Sequence, residues 1–363
     1  MTRLRPAWVE IDLAALAHNV AEVRRLCGGA TLFAVCKGDA YGCGAERTAP
    51  VMRAAGVDGF AVADAEDARR IRAAGLDSPI LLYGGTTPDL LDAALMPGVI
   101  ATVHDAAGME ALAALGRPVE AYVEVDCGFG RLGFTPEEWP GAFARLAASN
   151  QVRVSGLYTH FSDPGDAAVT ARQSALFARA QGDAAEAGLA GLVSMTASSR
   201  VLLGYPDQVL DAVNPGRMLY GMLEAPWDAE GNFRPVLSAV KSRVIQVRDL
   251  PEDFGVGYGG TRRAGRMRTA VIAFGFKDGI PRAPAGGEVL IRGRRVPVLG
   301  LRSTEHTVLD VTDVPDAAVG DEVVLLGRQE DAAIEGIEVC TMYKTEMIEL
   351  LPRLGRSLPR VYI

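Results

Sequence analysis

The residues of this 363-residue chain that could do chemistry are spread along it, each just past an apolar, strand-like run. Lys37 ends the run TLFAVC in FAVCKGDAYG, with Tyr41, Gly42 and Gly44 close behind. Arg131 follows VEAYVEVD, His160 lies in VSGLYTHF, Ser198 follows LVSMTA, and Asn214 opens NPGRMLYG. A lysine in such a place is either a solvated amine on a rim or one member of a set converging on a single mouth. The same placement repeated after several runs favours the set. Gly128, Gly130 and Gly133 form GxGxxG directly after a strand, the spacing of a dinucleotide-binding turn. Three features oppose that reading. The unit lies mid-series, the following helix carries an interior Pro140, and the next strand, VRVSGLY, does not end in the acidic residue that would hold a ribose. No GxxxxGK[ST] loop occurs, so a nucleotide phosphate cradle has no support.

The elements that must position these groups alternate. From Asp12 onward, Leu13, Leu16, Val20, Val23 and Leu26 recur at helical spacing, and TLFAV follows as a short buried strand. GFAVA precedes a helix from Asp64 to Gly75, PILLYGG a helix opened by Thr87 and Pro88, and VIATV the segment DAAGMEALAALG. VEAYVEVD is followed by a helix after Thr135, VSGLYTHF by a long alanine-rich helix, LVSMT by a short helical stretch, and a last apolar run by NPGRMLYGM. Eight such units predict an α/β fold, a closed eight-stranded parallel (β/α)8 TIM-type barrel across residues 12–234, because each buried strand needs a crossover helix and closure removes the sheet edges. A six-strand open sheet leaves two units over. After Arg234 the pattern turns to β-rich runs (AVKSRVIQV, TAVIAF, EVLIRG, HTVLDV, DEVVLLG) with glycine turns, predicting a smaller, mostly-β domain over residues 235–363. Residues 1–11 read as a strand packing with that domain.

Composition excludes several classes. With 49% hydrophobic and 23% charged residues the chain can bury a large core. Its 37 basic and 45 acidic residues leave a net charge of -8, which argues against general nucleic-acid or anionic-membrane binding. Arg292, Arg294 and Arg295 around Gly293 read as a hairpin turn, not a phosphate patch. No apolar run reaches the ~18 residues of a membrane span, and MTRLRPAW lacks the apolar stretch of a signal peptide, so the expected compartment is the cytoplasm. Cys27, Cys36, Cys43, Cys127 and Cys340 suit reduced thiols, and the scattered His18, His104, His160 and His306 give no zinc-site spacing; no metal is expected.

FAVCKGDAYGCGA resembles the lysine segment of the alanine racemase family, and the resemblance continues in order through WVEIDLAALAHN, VDCGFGRLGF, GLYTHF, NPGRMLYG, GYGGT and SLPRVYI. It implies a fold-type III enzyme carrying pyridoxal 5'-phosphate on Lys37, assembled head to tail as a homodimer with shared active sites, each completed by the partner's Tyr258. Racemisation removes an α-proton from one face and returns it on the other, so two bases must flank one carbon: by resemblance, Lys37 and Tyr258. A phenol ordinarily holds its proton to about pH 10, and His160 and Arg131 are the groups carried over to stabilise its anion. Arg131 is also the implied support of the cofactor hydroxyl and the substrate carboxylate. Ser198, the Gly216 to Arg217 backbone and Tyr41 are the implied phosphate anchors.

Several positions depart from the family. Asn214 replaces an arginine that faces the pyridine nitrogen, and is expected to leave that nitrogen mostly unprotonated. Glu124 replaces a lysine that many members carry carbamylated; it supplies a carboxylate directly and is expected to orient Arg131. Ser303, Thr304, Glu305 and His306 stand for SMDQ, with Thr304 and Glu305 facing substrate, and Phe276 beside Lys277 stands for the tyrosine of IGYxDG. The late phosphate-binding tyrosine aligns to Ile348; Arg200 and Arg217 are additions near the phosphate. The expected function is racemisation of a small amino acid, alanine or a small polar relative, with an acidic side chain raised by the extra cations Lys277 and Arg200 unless these are solvated. Two alternatives stand beside it. A fold-type III decarboxylase would carry an acidic-Cys-acidic segment, which Cys340 in IEVCTM does not make. A non-catalytic carrier of pyridoxal phosphate would be a lone barrel, against which the β domain and Tyr258 speak.

Overall fold

The computed structural model describes residues 5–84, 87–224, 226–262 and 265–363; the first four residues of the expected N-terminal strand segment lie outside this set. The chain falls into two compact units: Ala15–Ala40 with Ala45–Arg234, and Met1–Ala14 with Tyr41–Gly44 and Pro235–Ile363.

The chain opens with strand β1 (Ala7–Ile11) and the helix Leu13–Cys27. Eight parallel strands follow: β2 (Thr31–Val35), β3 (Gly59–Val62), β4 (Ile80–Leu82), β5 (Val99–Val103), β6 (Val119–Glu124), β7 (Val152–Tyr158), β8 (Val193–Ala197) and β9 (Ala212–Val213). They close into a barrel, β9 pairing with β2 through Thr31↔Ala212 and Leu32↔Val213. β3, β4 and β5 are buried along their whole length, as strands covered on both faces must be. Helix starts are set by aspartates: Asp64 accepts from Asp67 N, Asp105 from Gly108 N, and Asp166 from Ala168 N and Val169 N.

Two local expectations change. Pro140 is not interior: it lies in the first turn of Trp139–Ala147, where its missing N–H costs no intrahelical bond. Among the described residues no helix follows the eighth strand; Pro215–Gly216 send the chain into turns that bury Met218, Leu219 and Tyr220, the last donating its hydroxyl to Val35 O.

The other unit carries β10 (Leu237–Leu250), β11 (Met267–Ile272), β12 (Glu288–Ile291), β13 (Arg294–Leu299), β14 (Thr307–Asp310), β15 (Glu322–Gln329), β16 (Ala332–Ile334) and β17 (Arg360–Tyr362). With β1 they form a nine-stranded sheet in the order β16-β15-β12-β13-β14-β11-β10-β1-β17. β1 runs antiparallel to β10 and parallel to β17. β12 and β13 meet through Ile291↔Arg294, so Arg292 and Gly293 form a two-residue hairpin turn at φ 49° and 68°. Two helices, Gly336–Tyr343 and Met347–Ser357, complete the unit. Tyr41–Gly44 packs here because Gly42 meets the second helix: a Cβ on it would lie 2.9 Å from Leu351 O. Among the described residues no helix is long and apolar enough to cross a membrane, no three His, Cys, Asp or Glu gather as metal ligands, and all five cysteines are buried free thiols.

Candidate active site

The candidate side chains follow the carboxyl ends of the barrel strands. Directly after Lys37 the backbone makes a left-handed turn: Gly38 (φ 67°), Asp39 (φ 61°), Ala40 (φ 54°) and Tyr41 (φ 52°). Non-glycine residues pay roughly 1–2 kcal/mol each for this conformation. Opposing that strain, the Asp67 carboxylate accepts from Gly38 N at 2.6 Å and Asp39 N at 2.8 Å, while Asp39 accepts from Ala45 N at 2.8 Å and pairs with Arg70 at 3.0 Å. The turn thereby fixes where Lys37 leaves the strand. Surrounding protein, then the charge of Arg131, lowers the Lys37 ammonium below its ordinary value, although the side chain still reaches solvent.

The glycines of GxGxxG serve a different purpose from phosphate binding. Asp126 accepts from Gly128 N (2.8 Å), Phe129 N (2.8 Å) and Gly130 N (2.9 Å), so a side chain of the loop itself occupies those amides. At Gly133 a Cβ would lie 2.6 Å from Asp126 N. The loop presents Arg131, whose guanidinium lies 4.3 Å from the Phe129 ring centre; that ring meets His160 edge-on at 5.5 Å. Burial, then the charges of Arg131 and Lys37, lower His160 to about 4, so its imidazole is neutral at pH 7. Lys37, Arg131 and His160 therefore stand within electrostatic reach of one another.

Glu124, 5% exposed at the end of β6, accepts from the Tyr158 hydroxyl at 3.0 Å, which also meets Thr102 Oγ1 at 3.2 Å. Burial raises its carboxyl, while Tyr158 and then the Arg131 charge pull it down. Its bonded partner is Tyr158; Arg131 acts on it through space.

Asn214 is buried after β9, donating Nδ2 to the Tyr83 hydroxyl at 2.6 Å; its Oδ1 has no partner among the described residues. Ser198 precedes the helix Ser199–Gly204 in extended backbone, without a side-chain cap bond. Ser199, which the sequence reading passed over, is the buried one of the pair, and its Oγ accepts from Gly216 N (3.0 Å) and Met218 N (3.3 Å). The signal was present: two adjacent serines after a barrel strand, only one of which can face inward. Glu224 bridges the two added cations, at 2.5 Å from Arg200 and 3.4 Å from Arg217.

In the β-sheet unit, Tyr258 is 57% exposed, bridges to Leu301 through backbone, and lies under the Arg282 guanidinium at 4.9 Å. Thr304 and Glu305 are exposed in a turn closed by Ser303 and His306, and Glu305 pairs with Lys277. Tyr41 belongs to this unit, and Ile348 is half-buried on Met347–Ser357, where it offers no hydroxyl.

Comparison with known proteins agrees across the chain. The family described as "Alanine racemase, N-terminal domain" matches residues 11–224, and "Alanine racemase, C-terminal domain" residues 237–362. The chain is 39% identical over 370 residues to the catabolic alanine racemase of Pseudomonas putida, and 35% identical over 378 residues to the alanine racemase of Sorangium cellulosum, covering 99% of both partners in each case. The alanine racemase structure from D-cycloserine-producing Streptomyces lavendulae matches with a TM-score of 0.90 at 28% identity, covering 99% of this chain and 97% of that one. That from Streptomyces coelicolor matches with a TM-score of 0.87 at 32% identity, covering 99% and 98%. A closed parallel barrel, a β-sheet unit and full-length relatives of one kind together show that this chain belongs to the alanine racemase family, whose members are pyridoxal-phosphate-dependent isomerases.

Proposed function

We propose that this protein interconverts L- and D-alanine in the cytoplasm, as a homodimer whose two bases are Lys37 on one face of the α-carbon and the partner's Tyr258 on the other. One observation carries the reading: an amine with a lowered affinity for protons, fixed by a left-handed turn at the carboxyl end of a barrel strand, beside an arginine and a neutral histidine.

The residues fit pyridoxal phosphate at both ends. Lys37 offers an amine that sheds its proton more readily than an ordinary lysine. Ser199 Oγ accepts from Gly216 N and Met218 N, so what the loops after the seventh and eighth barrel strands offer a phosphate oxygen is the hydroxyl hydrogen of Ser199 and not those two amides. Asn214 brings no charge to the ring-nitrogen position, in keeping with a nitrogen left mostly unprotonated; its Nδ2 donates to Tyr83 and its buried Oδ1 has no partner among the described residues. Bound on Lys37, the group supplies an electron sink for the charge left on the α-carbon.

The chain's own residues do the rest. Arg131 offers a planar cation to the substrate carboxylate, which orients the α-hydrogen. His160, uncharged at neutral pH, adds no third cation beside Lys37 and Arg131 and leaves a ring nitrogen for hydrogen bonding. Lys37 Nζ takes or returns the proton on its face, and the Tyr258 hydroxyl, exposed in one chain, is available to a second.

The test is isotopic. Cofactor-loaded protein in deuterated water with single-enantiomer amino acids is expected to incorporate deuterium at the α-carbon of alanine with inversion, and Lys37→Ala to abolish it. Carbon dioxide release would identify a decarboxylase; binding without exchange or release, a carrier.

A further inference from the structure

Within the β-sheet unit, cations collect in one cavity. The segment Phe276–Asp278 and the helix Met347–Ser357 border an open cavity of about 400 Å3 lined by Lys277, Arg282, Arg353 and Arg356. The acids nearby are mostly committed. Asp278 is fully buried, bonded by Arg5 at 2.6 Å and by Gly275 N at 2.9 Å. Glu305 is taken by Lys277, and Glu349, which feels the charge of Arg353, accepts from Thr345. Setting Glu305 and Glu349 against the four lining cations leaves an excess of two positive charges, on a chain whose net charge is -8. No carboxylate pairs with Arg353 or Arg356 among the described residues, and Arg282 is stacked on Tyr258.

The backbone under this cluster is closely packed. A Cβ on Gly279 would lie 2.9 Å from Leu354 N and 3.1 Å from the Arg353 carbonyl carbon, so turn and helix touch main chain to main chain. Arg353 and Arg356 stand three apart on one helix, where like charges repel and destabilise. Two guanidinium forks and an ammonium held around a concavity focus positive potential there, and forks match oxyanions in pairs of hydrogen bonds.

We propose that this cavity is a binding site for a small oxyanion bearing two negative charges, the chemistry shared by inorganic phosphate and short dicarboxylates. Its occupant neutralises the excess that the protein's own acids leave.

The cofactor-loaded protein is titrated calorimetrically with inorganic phosphate, succinate and acetate at constant ionic strength. Saturable binding of one dianion per chain is expected, with acetate weaker; phosphate ahead of succinate identifies a tetrahedral oxyanion as the natural occupant, and the reverse a dicarboxylate. The double variant Arg353→Gln/Arg356→Gln is expected to bind the dianion about tenfold more weakly or worse, while Arg328→Gln, an exposed arginine paired with Glu335 elsewhere, binds as the parent does. Should the double variant fail to fold, Arg356→Gln alone makes the same comparison at an exposed side chain. Absence of saturable dianion binding, or equal affinity in parent and variant, overturns the proposal. Because binding is read without turnover, this result stands or falls separately from the racemase reading.

Discussion

Two titrating side chains carry the sharpest expectations at the scale of single residues. His160 is held to about 4 against an ordinary 6.5. Its unfolded form therefore binds more protons between those values, so stability is present above 6.5 and is lost as pH falls toward 4, by roughly 1–3 kcal/mol. Urea unfolding of the cofactor-free protein at stepped pH should show that slope, and His160→Phe should flatten it; a midpoint near 6.5 in the His160 ring signals by NMR would contradict the environment described. Glu124 shifts the other way: burial raises its carboxyl, so the ionised form costs stability at neutral pH and the cost falls as pH drops through the raised value. Glu124→Gln keeps an acceptor for Tyr158, and is expected to melt no lower than the parent while raising KM several-fold through the lost charge near Arg131. Unchanged KM and turnover would remove Glu124 from the site. Lys37, Arg131 and His160 were legible because each follows an apolar run. For Ser199 the signal was only half a signal: two adjacent serines open the helix after the seventh barrel strand, and spacing does not say which hydroxyl the fold buries.

The left-handed turn after Lys37 is the element whose cause lies furthest from its own residues. Gly38 permits it, but Asp39, Ala40 and Tyr41 are ordinary L-residues, and the carboxylate that holds the turn comes from the helix Ala65–Ala73. Asp67→Ala removes two hydrogen bonds to backbone donors, each worth on the order of 1 kcal/mol, and leaves the strain behind. The expected outcome is a loss of about 2–3 kcal/mol in urea unfolding together with weaker retention of pyridoxal phosphate on dialysis; retention equal to the parent would mean that the turn does not set the Lys37 position. Strand and helix alternation could be read directly, because buried strands and amphipathic helices write different periods into the chain. The missing eighth helix could not: NPGRMLYGM is apolar enough for either outcome, and Pro215 with Gly216 decides between them only once the turn has the core to bury Met218, Leu219 and Tyr220.

The whole molecule raises the question of which chain supplies the second base. Lys37 belongs to the barrel unit and Tyr258 to the β-sheet unit, and the proposed reaction needs both at one carbon. Mixing two inactive variants separates the possibilities. In a hybrid dimer of Lys37→Ala with Tyr258→Phe, a site built from two chains regains both residues once: the chain that keeps Lys37 receives an intact tyrosine from its partner, and the other site lacks both. Random exchange makes half of all dimers hybrid, so about one quarter of the parent activity should return after the variants are unfolded and refolded together. Were both bases supplied by one chain, every hybrid site would lack one of them and the mixture would stay as inactive as its components. Each variant also has its own signature. Tyr258→Phe alone retains Lys37, so it should exchange the α-hydrogen of one alanine enantiomer with deuterated water without inverting it, whereas Lys37→Ala should lose cofactor attachment altogether. Exchange of both enantiomers by Tyr258→Phe at the parent rate would exclude the phenol as a base, whichever chain it came from.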